Sequence, residues 1–495
     1  MSNQKNSYNQ ILKATSIFGG VQIFNVLISI IKSKLIAVLV GPAGIGILGL
    51  FNTSLNLIGA ATNFGLKQSA VRNVALAHES ADKKKVSEII SIFRKIVWAT
   101  GVFGSLTTII LSGYLSQFVF GNKDYQMAFI WLSISLLFNQ LTAGQYVLLQ
   151  GLRKLKLLAK ANLIGAAISL IFTIPLYYYY RIDAIVPSIV ISSIIIFLVA
   201  FFFGNSLKIE KVAVSRDQIV VEGKDMLQMG IALSFSGLVS IGNTFLIKAF
   251  INNQGGVSDV GLYTAGFAII TTYVGVIFTA MSTDYYPRLS GVSEDNKKSS
   301  LLINHQAEIS LILLSPILVT FIVFIHYAII VLYSSKFVEM DTMLEWAALG
   351  MYFKAASWCI AYILLAKGES KLFFINELIA NIYGFCLNIL GYHFYGLEGL
   401  GFGFFIGYII YLFHMFILAN RKYGFEYNSE FIKIFILQFI FGITCLITKK
   451  YFQLPYTYIS GALIIFLSSW FSIYQLKNKV DFSSVFNQLF KKNNK

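Results

Sequence analysis

Val21 to Phe51 reads VQIFNVLISIIKSKLIAVLVGPAGIGILGLF, and this stretch decides the fold. It is apolar enough to span a bilayer, yet it carries Lys32 and Lys34 near its middle. It breaks at Gly41-Pro42-Ala43-Gly44 and enters a second apolar run. A lysine near the centre of a membrane helix costs roughly 2.5–3.5 kcal/mol on insertion scales, so it faces protein or water rather than lipid. Two lysines two residues apart project about 200° apart on a helix and do not share one face. The stretch therefore reads as a helix lining a hydrated, positively charged path.

Composition extends this reading to the whole chain of 495 residues. It is 56% hydrophobic and only 13% charged, with mean hydropathy +0.70, where a soluble domain carries about a quarter charged residues. The expected class is an all-α polytopic membrane protein. Aromatic content of 15%, with clusters such as Tyr177 to Tyr180, suits interfacial belts. The net charge of +16 would suggest nucleic acid in a soluble protein. Here it is assigned to cytoplasmic loops, so no nucleic-acid partner is expected. Cys359, Cys386 and Cys445 sit in apolar segments without CxxC spacing and read as small buried hydrophobes. The polar N-terminus, with no small-residue cleavage site after a short apolar core, leaves the first span as an uncleaved anchor.

A bilayer core of roughly 30 Å needs about 20 apolar residues per helix. Fourteen such runs are expected: 17–40, 44–65, 89–119, 126–149, 158–180, 183–204, 228–251, 259–283, 305–333, 342–366, 371–395, 398–419, 430–448 and 456–476. With the N-terminus inside, alternate loops collect Lys67, Arg72, Lys83 to Lys85, Arg153, Lys154, Arg288, Lys297, Lys367, Arg421 and Lys422. The outer loops hold only Lys123, Arg181, Lys336, Lys449 and Lys450. That bias predicts a multi-pass protein with both termini cytoplasmic.

The chain also repeats. Ile45-Gly46-Ile47-Leu48 corresponds to Val260-Gly261-Leu262-Tyr263, and Tyr180-Arg181-Ile182-Asp183 to Tyr395-Gly396-Leu397-Glu398, both at the same separation along the chain. The turns at 150–154 and 366–370 correspond with a small gap. The expected organisation is a six-helix bundle over 1–204, a cytoplasmic linker over 205–227, and a second six-helix bundle over 228–420. Two extra helices and a tail follow over 421–495. Bundles repeated in this way, here about a pseudo-two-fold axis, are typical of alternating-access transporters.

Three stretches carry a family likeness: Lys34-Leu35-Ile36-Ala37-Val38-Leu39-Val40-Gly41-Pro42-Ala43-Gly44-Ile45-Gly46, Gly65-Leu66-Lys67-Gln68-Ser69-Ala70-Val71-Arg72, and Tyr285-Tyr286-Pro287-Arg288-Leu289. With them the chain resembles the polysaccharide-transport flippases, such as O-antigen flippases. That family belongs to the multidrug/oligosaccharidyl-lipid/polysaccharide exporter superfamily. The resemblance implies a transporter, not an enzyme, of a polyprenyl-pyrophosphate-linked oligosaccharide. Such a protein moves its substrate from the cytoplasmic to the outer leaflet of a bacterial inner membrane, in lipopolysaccharide or similar polysaccharide biosynthesis. It implies membrane lipids as surroundings and a polysaccharide polymerase and chain-length regulator as partners. No cofactor is expected; a proton or sodium gradient or the membrane potential would drive transport.

A pyrophosphate needs a positive field, and lysine supplies a point charge. The candidate cations are Lys34 and Lys248, placed almost equivalently by the repeat, then Lys32 and Lys354, with Arg72 and Arg288 at equivalent inner ends. Snorkelling or structural ion pairing is the competing reading for the lysines, and a topogenic or gating charge for the two arginines; for Lys354 the expected partner is Glu377. Gln22, Asn25, Asn56 and Asn243 are the candidate sugar contacts, among inward polar residues that include Asn63, Asn139 and Gln140. Glu377 and His326 are candidates for ion coupling. A multidrug cation antiporter of the same superfamily is the alternative, but its substrates want buried carboxylates where this chain has lysines. A membrane polysaccharide polymerase is less favoured, because the outer loops around 120–125 and 334–341 are short. No Walker A or HExxH motif occurs.

Overall fold

The computed structural model describes residues 2–79, 82–207, 209, 212 and 214–479, with side chains from Val26 onward save Ile28, Gln68, Lys83 and several between 216 and 236. The regular elements among them are all helical. Ten stretches are long and apolar enough to cross a membrane. Three of the ten each cover two of the runs expected from sequence: Ser29–Thr62, Leu155–Asn205 and Ser370–Tyr423. With α7 (Arg216–Gly255), and with α8 (Val257–Ala268) and α9 (Val276–Ser290) together filling one span, a helix stands at every one of the fourteen expected spans.

Three pairs of bends fall where the backbone takes positive φ, and these obey the repeat. In α1 (Ser2–Thr62) Gly41 has φ 68° and ψ −172°. Gly256, which ends α7, has φ 87° and ψ 178°. Arg181, which ends α5 (Leu155–Tyr180), has φ 51° and ψ −123°; Gly396, inside α12 (Ser370–Tyr423), has φ 56° and ψ −137°. Arg153 and Gly368 form a third pair, with φ 57° and 71°. All three pairs keep one and the same separation along the chain, so the turn at 150–154 corresponds to 365–369, one residue before the segment expected from sequence, and no gap is needed. Glycine enters this region at little cost. Arg181 and Arg153 occupy it because the repeat demands the same turn.

The same offset governs a helix crossing. A Cβ on Gly46 would lie 1.8 Å from the Val257 carbonyl oxygen; one on Gly261 would lie 1.9 Å from the Pro42 carbonyl oxygen. Val257 is the repeat counterpart of Pro42, so the contact is reciprocal, as a two-fold relation between copies requires. Such close backbone approach is the usual role of small residues in membrane helix packing.

The contacts divide the described residues into two compact units. One is Leu35–Gly261; the other joins the chain up to Lys34 to Leu262 onward. This is not a division at 205–227. The reason lies in α7, which packs on α2 (Leu66–Glu79) and α3 (Lys83–Phe120) of the first unit. α2 itself falls in a segment read as loop: Leu66, Ala70, Val74 and Ala77 are buried on one face of this helix.

In the second unit α10 (Asn296–Leu332) packs on α11 (Asp341–Ala366), α13 (Ser429–Tyr451) and α14 (Tyr456–Lys479). The polarity is that of a protein in lipid. On α14, Ile459, Leu463, Phe466 and Trp470 are exposed at intervals of three and four, while Gly461, Ser468 and Ser472 are buried. Ser468 Oγ donates to Gln438 Oε1 at 2.6 Å, and Gln438 Nε2 donates to Ser472 Oγ at 2.9 Å. Large apolar groups face outward, and small or hydrogen-bonded ones join the helices. Asp82 and Asp295 cap α3 and α10 alike, each accepting two backbone N–H groups. Outside the spans, Lys422 and Tyr423 donate to the Glu369 carboxylate, and the lysine bond foremost holds that carboxyl below its ordinary range.

Gly46→Ala and Gly261→Ala are expected to lower the thermal unfolding midpoint in detergent, each costing about 1–3 kcal/mol or more. Gly237→Ala, where a Cβ meets nothing within 4 Å, is the control and should not. The Glu369 contribution is full above the ordinary carboxylate range and fades as pH falls through the lowered value. Glu369→Gln should therefore flatten the acid limb of a stability–pH profile.

Candidate functional site: a polar cavity inside the first unit

Within Leu35–Gly261 an open cavity of about 610 Å³ is lined by one face each of α1, α4 (Gln126–Gly151) and α7. α1 presents Thr53, Asn56, Ala60 and Asn63; α4 presents Leu136, Asn139, Gln140 and Ala143; α7 presents Ile241, Thr244 and Lys248. The steps of three and four put each set on a single helical stripe. Gly59, Ala60 and Ala143 leave the room, and amides and hydroxyls edge it. Polar side chains at membrane depth belong on such a stripe, because facing lipid would leave them without partners.

Lys248 is the one cation among the lining residues, and no carboxylate joins it. Only 9% of the residue is exposed. Its Nζ donates to Thr53 Oγ1 at 3.1 Å. The Thr53 hydroxyl spends its own proton on the Gly49 carbonyl at 2.6 Å, so its lone pairs are turned toward the ammonium. An ammonium has three donors, and among the described residues Thr53 is its sole polar partner. Gln140 Nε2 is tied to Thr100 Oγ1 at 3.2 Å, which fixes that amide on the wall. Chemically, the cavity offers an uncompensated positive charge surrounded by neutral hydrogen-bonding groups. In a medium of low effective dielectric that charge attracts an anion several times more strongly than in water.

The expected residues distribute unevenly. Lys248 and Asn56 line the cavity, with Asn63, Asn139 and Gln140. Asn243 sits off the lining stripe of α7. Lys34 belongs to the other unit, where its Nζ donates to the Ile330 carbonyl at 2.6 Å. The constant offset makes Ser33, not Lys34, the counterpart of Lys248; Ser33 Oγ accepts from Tyr273 OH at 3.3 Å. Lys32 and Arg72 are exposed. Arg288 pairs with Asp284 at 3.2 Å.

Lys354 does not pair with Glu377. Its Nζ stands 5.4–6.0 Å from the ring centroids of Phe278, Phe404 and Tyr408, an aromatic setting that suits a cation through the ring quadrupoles. Glu377 instead accepts from Tyr411 OH at 2.9 Å. His326 Nδ1 is 3.8 Å from Asp341, a carboxylate already held by Lys449 at 2.9 Å. The side chains of Gln22 and Asn25 lie outside the described residues. Thr53, Ser240 and Thr244 were not singled out from sequence. Serine and threonine occur throughout membrane helices as partners of their own backbone, and nothing local marks the ones that reach a cavity.

Comparison with known proteins adds the family. The family described as polysaccharide biosynthesis protein matches residues 35–342. A lipid III flippase of Escherichia coli (strain K12) is 22% identical over 365 residues, covering 70% of this chain and 83% of its own. The inward-facing structure of a multidrug resistance MATE family transporter of the MOP superfamily superposes with TM-score 0.65 at 15% identity, covering 84% of this chain and 94% of that one. The lipid II flippase MurJ, in an inward closed conformation, superposes with TM-score 0.58 at 16% identity, covering 90% and 97%. Both structures share the fold of this polytopic helical chain. The match spans more than half of the chain, and the protein belongs to the polysaccharide biosynthesis protein family.

Proposed function

We propose that this protein is a flippase that moves a polyprenyl-pyrophosphate-linked oligosaccharide, an O-antigen unit or similar repeat, from the cytoplasmic to the outer leaflet of a bacterial inner membrane. The observation that carries this reading is the Lys248 cavity: one buried ammonium without a counter-ion, set among asparagine, glutamine and threonine side chains. Family membership and the relative named lipid III flippase support it. In this reading Lys248 receives the pyrophosphate, while Asn56, Asn63, Asn139 and Gln140 exchange hydrogen bonds with sugar hydroxyls. No bond is made or broken, so the residues need only replace water around the headgroup. The driving force is a cation gradient or the membrane potential, with both termini cytoplasmic. The polymerase and chain-length regulator of the same export route are its working partners.

The multidrug reading draws on the fold shared with the MATE structure. A cationic substrate wants a carboxylate where this cavity has a lysine. That sign favours the anionic substrate.

The test is translocation in sealed proteoliposomes carrying the lipid-linked oligosaccharide, scored by its exposure to an external glycan-modifying reagent. Lys248→Ala should slow exposure about tenfold or more, since a hydrogen bond to a charged group is worth roughly 1.5–3 kcal/mol. Lys248→Arg should retain more activity, and Lys34→Ala, whose lysine is bonded to a backbone carbonyl, should lose less. Unchanged translocation in Lys248→Ala at normal protein level would sink the cavity assignment. Uptake of a cationic dye without oligosaccharide exposure would favour the multidrug reading.

Asn56→Ala and Asn139→Ala address the sugar contacts separately. Each should raise the half-saturating substrate concentration about 2–10-fold, the worth of one neutral hydrogen bond, while leaving the amount of folded protein unchanged.

A further inference from the structure

A second cavity, of about 200 Å³, lies between α3, α4 and α6 (Ile185–Asn205) of the first unit. Its wall contains Arg94, Gln145 and Asn205 together with Trp98, Phe197 and Phe201. It shares α4 with the Lys248 cavity but uses other positions, Leu141, Gly144 and Gln145 rather than Asn139, Gln140 and Ala143. The proposed translocation makes no use of it.

The chemistry of this wall is unsatisfied. Arg94 Nε is buried with no hydrogen-bond partner, as is Gln145 Oε1. No carboxylate pairs with Arg94 among the described residues. Leaving the buried Nε–H of a half-buried guanidinium unpaired is costly, which makes an external anion the natural partner of Arg94, while the Gln145 oxygen, an acceptor, calls for a headgroup hydroxyl. Guanidinium matches phosphate oxygens with paired N–H groups. The level also fits. Asn205 is the last residue of α6, and α3 enters at Lys83-Lys84-Lys85, so Arg94 stands where headgroups meet hydrocarbon. Beside it Trp98, Leu198, Phe201 and Phe202 are exposed by 47–72%, an apolar face open to an alkyl chain. The volume is below the roughly 300 Å³ at which pockets for drug-sized ligands begin. It admits a phosphate and its ester linkage, not a sugar repeat.

We propose that this cavity binds the phosphate of a membrane lipid, with Arg94 as phosphate ligand, Gln145 and Asn205 on the headgroup, and the lipid chain along Trp98 and Phe201. Two sources carry this chemistry, an anionic glycerophospholipid and a polyprenyl phosphate. The site is independent of the translocation reading, and binding is measured without transport.

The full chain, purified and stripped of lipid, is incubated separately with phosphatidylglycerol, polyprenyl phosphate and uncharged diacylglycerol, and retained lipid is counted by native mass spectrometry. The wild type should hold a phosphate-bearing lipid but not diacylglycerol. Arg94→Gln should bind it about tenfold more weakly or less, Arg94→Lys should fall between, and Lys95→Gln, at an exposed neighbour, should bind as wild type. Loss in the phosphatidylglycerol arm assigns a phospholipid; loss confined to the other arm assigns the polyprenyl carrier. Lipid-free thermal unfolding checks that Arg94→Gln is folded, and Gln145→Leu, which keeps the arginine, provides a second variant with weakened binding. Equal retention by Arg94→Gln and Gln145→Leu in both lipid arms overturns the site.

Discussion

The reciprocal contact of Pro42 and Gly46 with Val257 and Gly261 is the constraint on which the first unit rests. Two backbones approach so closely that neither helix tolerates a Cβ at the crossing. The positive-φ residues Gly41 and Gly256 turn the chain into it from both sides. The crossing holds the second half of α1 against the start of α8, which follows α7 directly across Gly256. From there Thr53, two helical turns beyond Gly46, meets Lys248. The polar cavity is thus a consequence of two glycines that the repeat places at equivalent positions.

The second unit shows how the same lipid solvent disposes of its charges. Lys34 takes a backbone carbonyl, Lys354 takes aromatic faces, and Lys449 takes Asp341 and Glu345. Lys479 reaches the fully buried Glu308, which also accepts from Asn428, the cap of α13. That pair ties the end of α14 to α10. Each of these cations has a protein partner. Lys248 has only a hydroxyl, and Arg94 has none among the described residues. The contrast separates charges that hold the structure from charges left for something else.

How much could be read beforehand follows from the range of each interaction. A crossing helix is recognised from its own run of apolar residues, so all fourteen spans were legible. The repeat was legible because its turns demand particular backbone angles at Gly41, Gly396 and their counterparts. Lys248 and Asn56 were legible because polarity inside a span is rare. Lys34 was read as the twin of Lys248, and the register proved one residue off. A single residue rotates a side chain by about 100° on a helix, enough to send it to another neighbour.

What the sequence alone determined was the solvent, the spans and the repeat, since each is written in local hydropathy and in residues that only certain dihedrals accept. The tertiary structure decided the rest. It turned a supposed loop into the buried face of α2, placed α7 with the first unit, and gave Lys354 rings instead of a carboxylate. It also gathered Thr53, Asn139 and Thr244 around one ammonium. These outcomes depend on which helical stripes meet between segments far apart in the chain, as Thr53 meets Lys248. Inside a bilayer the hydrophobic effect does not choose between apolar faces; close packing of small residues and the pairing of polar groups choose instead.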